Sequence, residues 1–459
     1  MNSGIEVYKK QKAYIKNSIL ILIAFSTAFF PRILDSLGAP SPVNFIHFIT
    51  VPLACGVVII NTPVRDKNQI SAAKALIAGL FILLSTMTAS AFLNNAGLIN
   101  IFLALMLLAE PFILLLAIIC IPMSLKSLKR FRAWVLGFAC VHIFLAFAQQ
   151  FLITAGILRV TSMTAEDNVQ GVFYLSGSGH VVGASVSIYF ALYYFVSAKT
   201  VPTWIRVSVF FSAFLHLLFA DAKQVVVVFG IAWLLLILTK LKDIKIALQY
   251  LIGAVLISFA FWWCIQNLDS FAAFRTWIRP ELYGPEGEAT LLKSGPLRII
   301  PSYYKSPFNW LLGLGPGHTI GRLGGWMLKD YGNLLSPLGA TIHPASEAVW
   351  ETVRGYWLDS SFFSPFWGWA GIWGDFGFLG LGAYLYLCSI VWRKLCLDDF
   401  SRFMILSVLL FGLIFTQMEE PGYMLTVASL IGLRWQEIQL NKRERFRLAS
   451  LSRDSQEYF

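Results

Sequence analysis

Three observations predict an all-α polytopic membrane protein, with about twelve transmembrane helices and one large extracytoplasmic loop between the ninth and tenth. The first is composition. Of 459 residues, 57% are hydrophobic and 13% charged, more apolar surface than a soluble domain can hide. The second is length: apolar windows recur, most of them long enough to cross a hydrocarbon layer of ~30 Å. The third is charge, because basic residues collect in alternate turns, the pattern that sets orientation.

The windows fall at 17–35, 44–61, 71–93, 97–123, 133–155, 179–197, 204–220, 224–239, 246–265, 371–392, 403–418 and 422–433. The eighth and the last are short, as tilted or partly re-entrant segments are. Lys9, Lys10, Lys12 and Lys16 precede the first window without a small-residue cleavage pattern, so it reads as a retained helix. Alternate turns then carry Arg65 and Lys67; Lys126, Lys129, Arg130 and Arg132; Lys199 and Arg206; Lys240, Lys242 and Lys245; Arg393, Lys394 and Arg402. The opposite turns are poor in basic residues, with Arg32 the exception at the outer end of the first window. This alternation predicts cytoplasmic termini at 1–16 and 436–459, membrane regions at 17–265 and 371–435, and an extracytoplasmic loop at 266–370. The tail after Trp435 reads as a basic amphipathic helix at the inner surface, or as disordered chain.

The net charge of +11 sits in short runs between apolar windows. It therefore marks topology and lipid-headgroup contact rather than nucleic acid. Six cysteines fall in the windows or an inner turn, none in the large loop. They predict apolar packing, not a disulfide scaffold. The cysteines and six scattered histidines lack ligand spacing, so no metal site is expected.

The residues able to carry chemistry concentrate in the loop, where Arg275, Arg279, Lys293, Arg298, Arg322 and Arg354 mix with Trp, Tyr, Gly and Pro. LRIIPSYY at 297–304 precedes LLGLGPGHT at 311–319. Gly315 and Gly317 give a tight turn, whose N–H groups can hold an anion or simply join two interfacial helices. SFFSPFWGWAGIWGDFGFLG at 361–380 offers Trp367 and Trp369, either as faces for sugar rings or as an interfacial belt. Asp375 is then either wet or paired with an outward arginine. The turn at 156–178 contains Arg159, Glu166 and Asp167. Lys223, in the short turn beginning at Asp221, breaks the charge alternation and needs a local anion, Asp221 or a ligand. Glu110-Pro111, inside the fourth window, reads as a kink with a protonated or paired glutamate, or as a proton-coupling group. His47, His142 and His216 read as packed spectators, whereas His180, His318 and His343 lie on the outer side, able to meet substrate.

Three segments in order carry a resemblance. They are VQGVFYLSGSGHVVGAS at 169–185, FADAKQVVVVFGIAWLLL at 219–236, and LRIIPSYYKSPFNWLLGLGPG at 297–317 followed by SPFWGWAGIWGDFGFLGLGAYLYL at 364–387. Over 157–387 the chain resembles the O-antigen polymerase and O-antigen ligase family of bacterial polysaccharide assembly. The resemblance implies a glycosyltransferase of the bacterial cytoplasmic membrane, without metal or cofactor. Its donor would be a glycan on a polyprenyl pyrophosphate, its acceptor another glycan, and its partners membrane lipid and other polysaccharide-assembly proteins, with no nucleic acid. By position, Arg298 matches the family's long-loop arginine and Lys223 the basic residue of the turn, while Arg159 lies in the corresponding outward turn. Gln170 stands where the family more often has arginine. The expected catalytic set is Arg298, Lys223, Arg159, His318 and His343. Arg275, Arg279, Arg322, His180, Gly315, Gly317, Trp367, Trp369 and Asp375 are expected to bind substrate. The ligase branch has a histidine before the last glycine-rich segment, where this chain has Ser361, Phe362, Phe363 and Ser364. The base remains open among His180, His318, His343, Glu347, Glu351 and Asp359. A polymerase is the leading expectation. A ligase, a secondary transporter or lipid-glycan flippase, and a membrane scaffold are the alternatives.

Overall fold

The computed structural model describes residues 17–62, 66–158, 160, 164–176, 178–240, 244–268, 271–275, 279–354 and 363–456. These residues are helical with no strand among them. Helices occupy every apolar window: α1 (Asn17–Phe29), α2 (His47–Asn61), α3 (Lys67–Asn94), α4 (Leu98–Cys120), α5 (Leu125–Thr154), α6 (Gly179–Ser197), α7 (Thr203–Phe219), α8 (Lys223–Leu238) and α9 (Ile244–Asn267). The loop contributes α10 (Glu288–Ser302) and α11 (Pro344–Arg354), with shorter turns between, and α12 (Gly368–Lys394), α13 (Asp399–Phe411) and α14 (Pro421–Gln456) follow.

Among the described residues, seven helices are long and apolar enough to cross a membrane: Ser41–Asn61, Lys67–Asn94, Leu98–Cys120, Leu125–Thr154, Gly179–Ser197, Leu248–Asn267 and Gly368–Lys394. α1, α7 and α8 are apolar but shorter. At 1.5 Å per residue α8 is only about 24 Å long and α13 about 20 Å, both short of the ~30 Å core. The end of the chain also differs from expectation. The last helix does not stop near residue 433 and give way to a separate amphipathic tail; α14 runs on unbroken to Gln456, with the described side chains 441–445 exposed.

Caps explain the breaks. Asp66 accepts from the N–H groups of Asn68 and Gln69 at the start of α3, and Asp398 from Ser401 at the start of α13. Asn95 ends α3 in a left-handed conformation, φ +52°. α4 is apolar on all sides and central: 78% of its most apolar window is buried, against 6% for α9 at the periphery. α2, α3 and α14 surround α4; α14 also packs on α6, α12 on α3, and α13 on α8. The six cysteines are free, and Cys140 is exposed rather than packed inside.

The two ends of the bundle differ. On the basic face the topology charges are partly neutralised. Glu437 accepts from Tyr193 at 2.7 Å and from Arg434 at 2.6 Å, and Arg434 also reaches Asp398 at 2.6 Å. Gln436 donates to the last carbonyls of α4, those of Ile118 and Ile121.

On the loop face, buried Asn100 clamps the loop, donating to the carbonyls of Pro316 and Thr341 and accepting from the Thr341 N–H, all at 2.9–3.0 Å. Asn94 reaches the Gly313 carbonyl, and Lys293 donates to the Ile414 carbonyl at 2.6 Å. An unsatisfied buried polar group costs about 1–3 kcal/mol. Asn100→Ala should therefore lower the thermal midpoint and speed protease cleavage within residues 279–354. Unchanged cleavage would mean that the loop is held elsewhere.

Candidate functional site

The glycine turn does not wait for a ligand. Gly313, Gly315 and Gly317 have φ of +70°, +109° and +72°, a region that L side chains rarely adopt. This path aims successive N–H groups at α12. Leu314 donates to the Gly374 carbonyl and Gly315 to the Asp375 carbonyl. The Asp375 carboxylate then accepts from Gly317 N–H at 2.8 Å, Thr319 N–H at 2.8 Å and the Thr319 hydroxyl at 2.6 Å. The expected anion nest is thus filled by the chain's own carboxylate. Gly315, Gly317 and Asp375 bolt the loop to α12 and leave none of these donors for a substrate phosphate.

Beyond the turn the chain enters a cavity of about 470 Å³ on the loop face. Arg322 lines it, stacked over Trp326 with its guanidinium carbon 4.9 Å from the ring centroid. Its Nη1 pairs with Glu420, and its N–H donates to Glu419 at 2.6 Å. Arg32 comes in from the other side, from the short helix Pro31–Ser36. It pairs with Asp35 at 3.7 Å, and a guanidinium stays charged there. Trp326, Trp350 and Phe366 present aromatic faces to the same space. Two guanidiniums, the Glu420 carboxylate and aromatic walls can hold an anionic group beside sugar rings.

Glu419 sits one step deeper. With Asp375 it lines a void of about 10 Å³, close to the size of one water. Its Oε1 has no hydrogen-bond partner among the described residues. Burial pushes its pKa up to about 8, with the Asp375 charge adding and Arg322 opposing.

The other expected site residues lie elsewhere. Arg298 is exposed and donates to the Leu291 carbonyl at 3.0 Å, outside the cavity lining. Arg275 and Arg279 are also exposed. Arg159, Asp359, Ser361 and Phe362 lie outside the described residues. Lys223 finds the local anion that its position demands, Asp221 at 2.6 Å, and His180 faces Asp167 at 3.4 Å. Both ring nitrogens of buried His318 are engaged, with the Leu314 carbonyl at 2.7 Å and the Thr341 hydroxyl at 2.8 Å. His343 stacks on it at 5.4 Å, and burial, His318 and Lys305 push its pKa down to about 4. Glu347 pairs with Lys329. Trp369 donates to the Leu409 carbonyl, and Trp367 packs near Ile300 and Ile320, so neither indole lines the cavity. Of the described residues in the expected set, Arg322 alone lines it.

Sequence reasoning missed Arg32, Glu419 and Glu420 as site residues. Arg32 left a signal, since it breaks the charge alternation. The glutamates left a weaker one, two adjacent acids in a very short turn.

The two buried His–acid and His–hydroxyl pairs fit their spectator reading. His47 Nδ1 lies 2.7 Å from Glu110, and His216 Nδ1 lies 2.8 Å from the Ser187 hydroxyl. His142 bridges the Gly183 carbonyl and the Val172 N–H.

Glu419 makes stability pH-dependent. Between the ordinary carboxylate value of about 4.3 and about 8, the native protein holds a proton that the unfolded chain has released. Stability therefore falls as pH rises across that window. Glu419→Gln removes the titration and keeps an oxygen for the Arg322 N–H. Its thermal midpoint should gain on the wild type's from about pH 5 to about pH 8. Parallel curves would contradict the buried, protonated state.

No protein-family model matches this chain, and neither a curated protein nor a solved structure is detectably similar to it.

Proposed function

We propose that the protein is a polymerase joining lipid-linked oligosaccharide repeat units into a surface polysaccharide on the outer face of a bacterial cytoplasmic membrane. In this reading all twelve apolar helices cross or enter the bilayer, both termini are cytoplasmic, and the loop face is extracytoplasmic. The single observation that carries it is the presence of two guanidiniums, Arg32 beside Asp35 and Arg322 beside Glu420, lining one loop-face cavity. Cations on that face run against the charge rule and need an anion to justify them.

The chemistry follows from the groups present. The donor glycan is linked through its anomeric carbon to a polyprenyl diphosphate. An acceptor hydroxyl attacks that carbon, a new glycosidic C–O bond forms, and the anomeric carbon–oxygen bond to phosphate breaks. The diphosphate leaves on its lipid with its charge increased, and Arg32 and Arg322 stabilise that charge as it develops. The hydroxyl proton passes to a carboxylate. Glu420 faces the cavity, and Glu419 lies behind it next to a water-sized void. Trp326, Trp350 and Phe366 supply faces for the sugars. In this assignment Arg322 and Arg32 take the role that position alone gave to Arg298.

A second reading, a proton-coupled transporter or lipid-glycan flippase, draws on the buried His47–Glu110 pair in the bundle. A ligase would share the donor chemistry and differ in acceptor.

Purified protein supplied with lipid-linked repeat units tests the proposal. Arg322→Lys and Arg32→Gln should each slow chain extension by about a hundredfold, the usual loss when one donor to a developing oxyanion is removed. Arg298→Ala should extend near the wild-type rate. Wild-type extension by both cavity variants would end the assignment, and lipid translocation without extension would favour the flippase.

A further inference from the structure

A second groove lies on the opposite, basic face, away from the cavity described above. Its volume is about 950 Å³, and it runs between α1 and α5. Ile19, Ile23, Phe131 and Trp134 form an apolar wall, and Lys126 and Arg130 stand at its mouth. On α5 the lining runs from Ser124 to Phe138, about 21 Å at 1.5 Å per residue. That matches one leaflet, about half of the ~30 Å hydrocarbon core plus headgroup depth.

The mouth has an uncompensated charge. Lys126, Lys129, Arg130 and Arg132 fall in the first eight residues of α5, the end where the helix dipole already disfavours cations. Arg132 has a carboxylate, Glu437 at 3.4 Å. Lys126 and Arg130 have none among the described residues. The chain's own residues 1–16 make a poor occupant, because they bring Lys9, Lys10, Lys12 and Lys16 against Glu6 alone.

We propose that this groove is a binding site for an anionic phospholipid, with one acyl chain along the α1–α5 wall and the phosphate between Lys126 and Arg130. The site takes lipid from the leaflet facing the basic turns, the one opposite the loop. It is independent of the reaction assigned to the loop face.

Trp134 lines the groove and reports its contents. The full chain is placed in phosphatidylcholine nanodiscs carrying an admixture of brominated phosphatidylglycerol, or of brominated phosphatidylcholine. The Trp134 signal is the fluorescence lost in Trp134→Phe. Brominated phosphatidylglycerol should quench that signal about tenfold more effectively per lipid, given two cations at an anionic headgroup. Lys126→Gln/Arg130→Gln should abolish the preference, and Lys129→Gln, outside the lining, should keep it. Equal quenching by the two lipids would overturn the proposal, as would a preference surviving in the double variant. Quenching that appears only after deletion of residues 2–16 would assign the groove to the chain's own terminus and overturn it too. So would displacement of phosphatidylglycerol by a lower concentration of polyprenyl monophosphate, which would identify an isoprenoid occupant.

Discussion

One buried carboxylate holds the long loop of this protein in place. Asp375 lies on α12, 4% exposed, and accepts three hydrogen bonds, one from Gly317 in the glycine turn and two from Thr319 just after it. A carboxylate that deep is costly unless its lone pairs are satisfied. The turn satisfies them because its glycines take conformations that aim backbone N–H groups inward. The long polar loop is thereby fastened to an apolar bundle that offers few other polar anchors. Asn100 provides the second point of attachment. Between them these contacts fix where Ile320–Tyr331 runs, and with it the position of Arg322.

The charges at the loop face are arranged as an alternating array. Arg322 pairs with Glu420 and Arg32 with Asp35, and Glu419 takes the Arg322 N–H behind them. Each buried charge has an opposite neighbour, which offsets its desolvation. The array also leaves room: the cavity is comparable to those that bind sugars and small ligands. Electrostatic preorganisation of this kind is effective because the dipoles and charges are in place before the reaction starts. The loop arginines nearer the surface lack this setting. Arg298 spends its guanidinium on a carbonyl of its own helix, where water screens it.

Much of the fold was legible in the sequence, and less of the site. Helix positions followed from apolar windows because a bilayer rewards uninterrupted apolar helix, and the loop stood out by contrast. Lys223 was marked as needing a local anion because it breaks the charge alternation, and Asp221 lies 2.6 Å from it. The unbroken course of α14 was not legible, because the basic run after Trp435 loses the apolar signal while the helix continues. Nor was the site itself. Arg32, Arg322 and Glu420 come from three distant segments, and no spacing rule connects them. The glycine turn was read either as an anion nest for substrate or as a plain turn between helices; its N–H groups do hold an anion, but that anion belongs to α12, fifty-eight residues from Gly317. Arg298 illustrates the limit of position: its place in a motif did not reveal that its side chain faces solvent.

The most direct measurement is photo-crosslinking with a polyprenyl diphosphate that carries a diazirine next to the diphosphate, followed by peptide mapping. The account predicts label on residues 320–331 and 415–420, and on the segment around Arg32, with competition by unmodified polyprenyl diphosphate. Label confined to residues 291–305 around Arg298, or to the basic face, would contradict it.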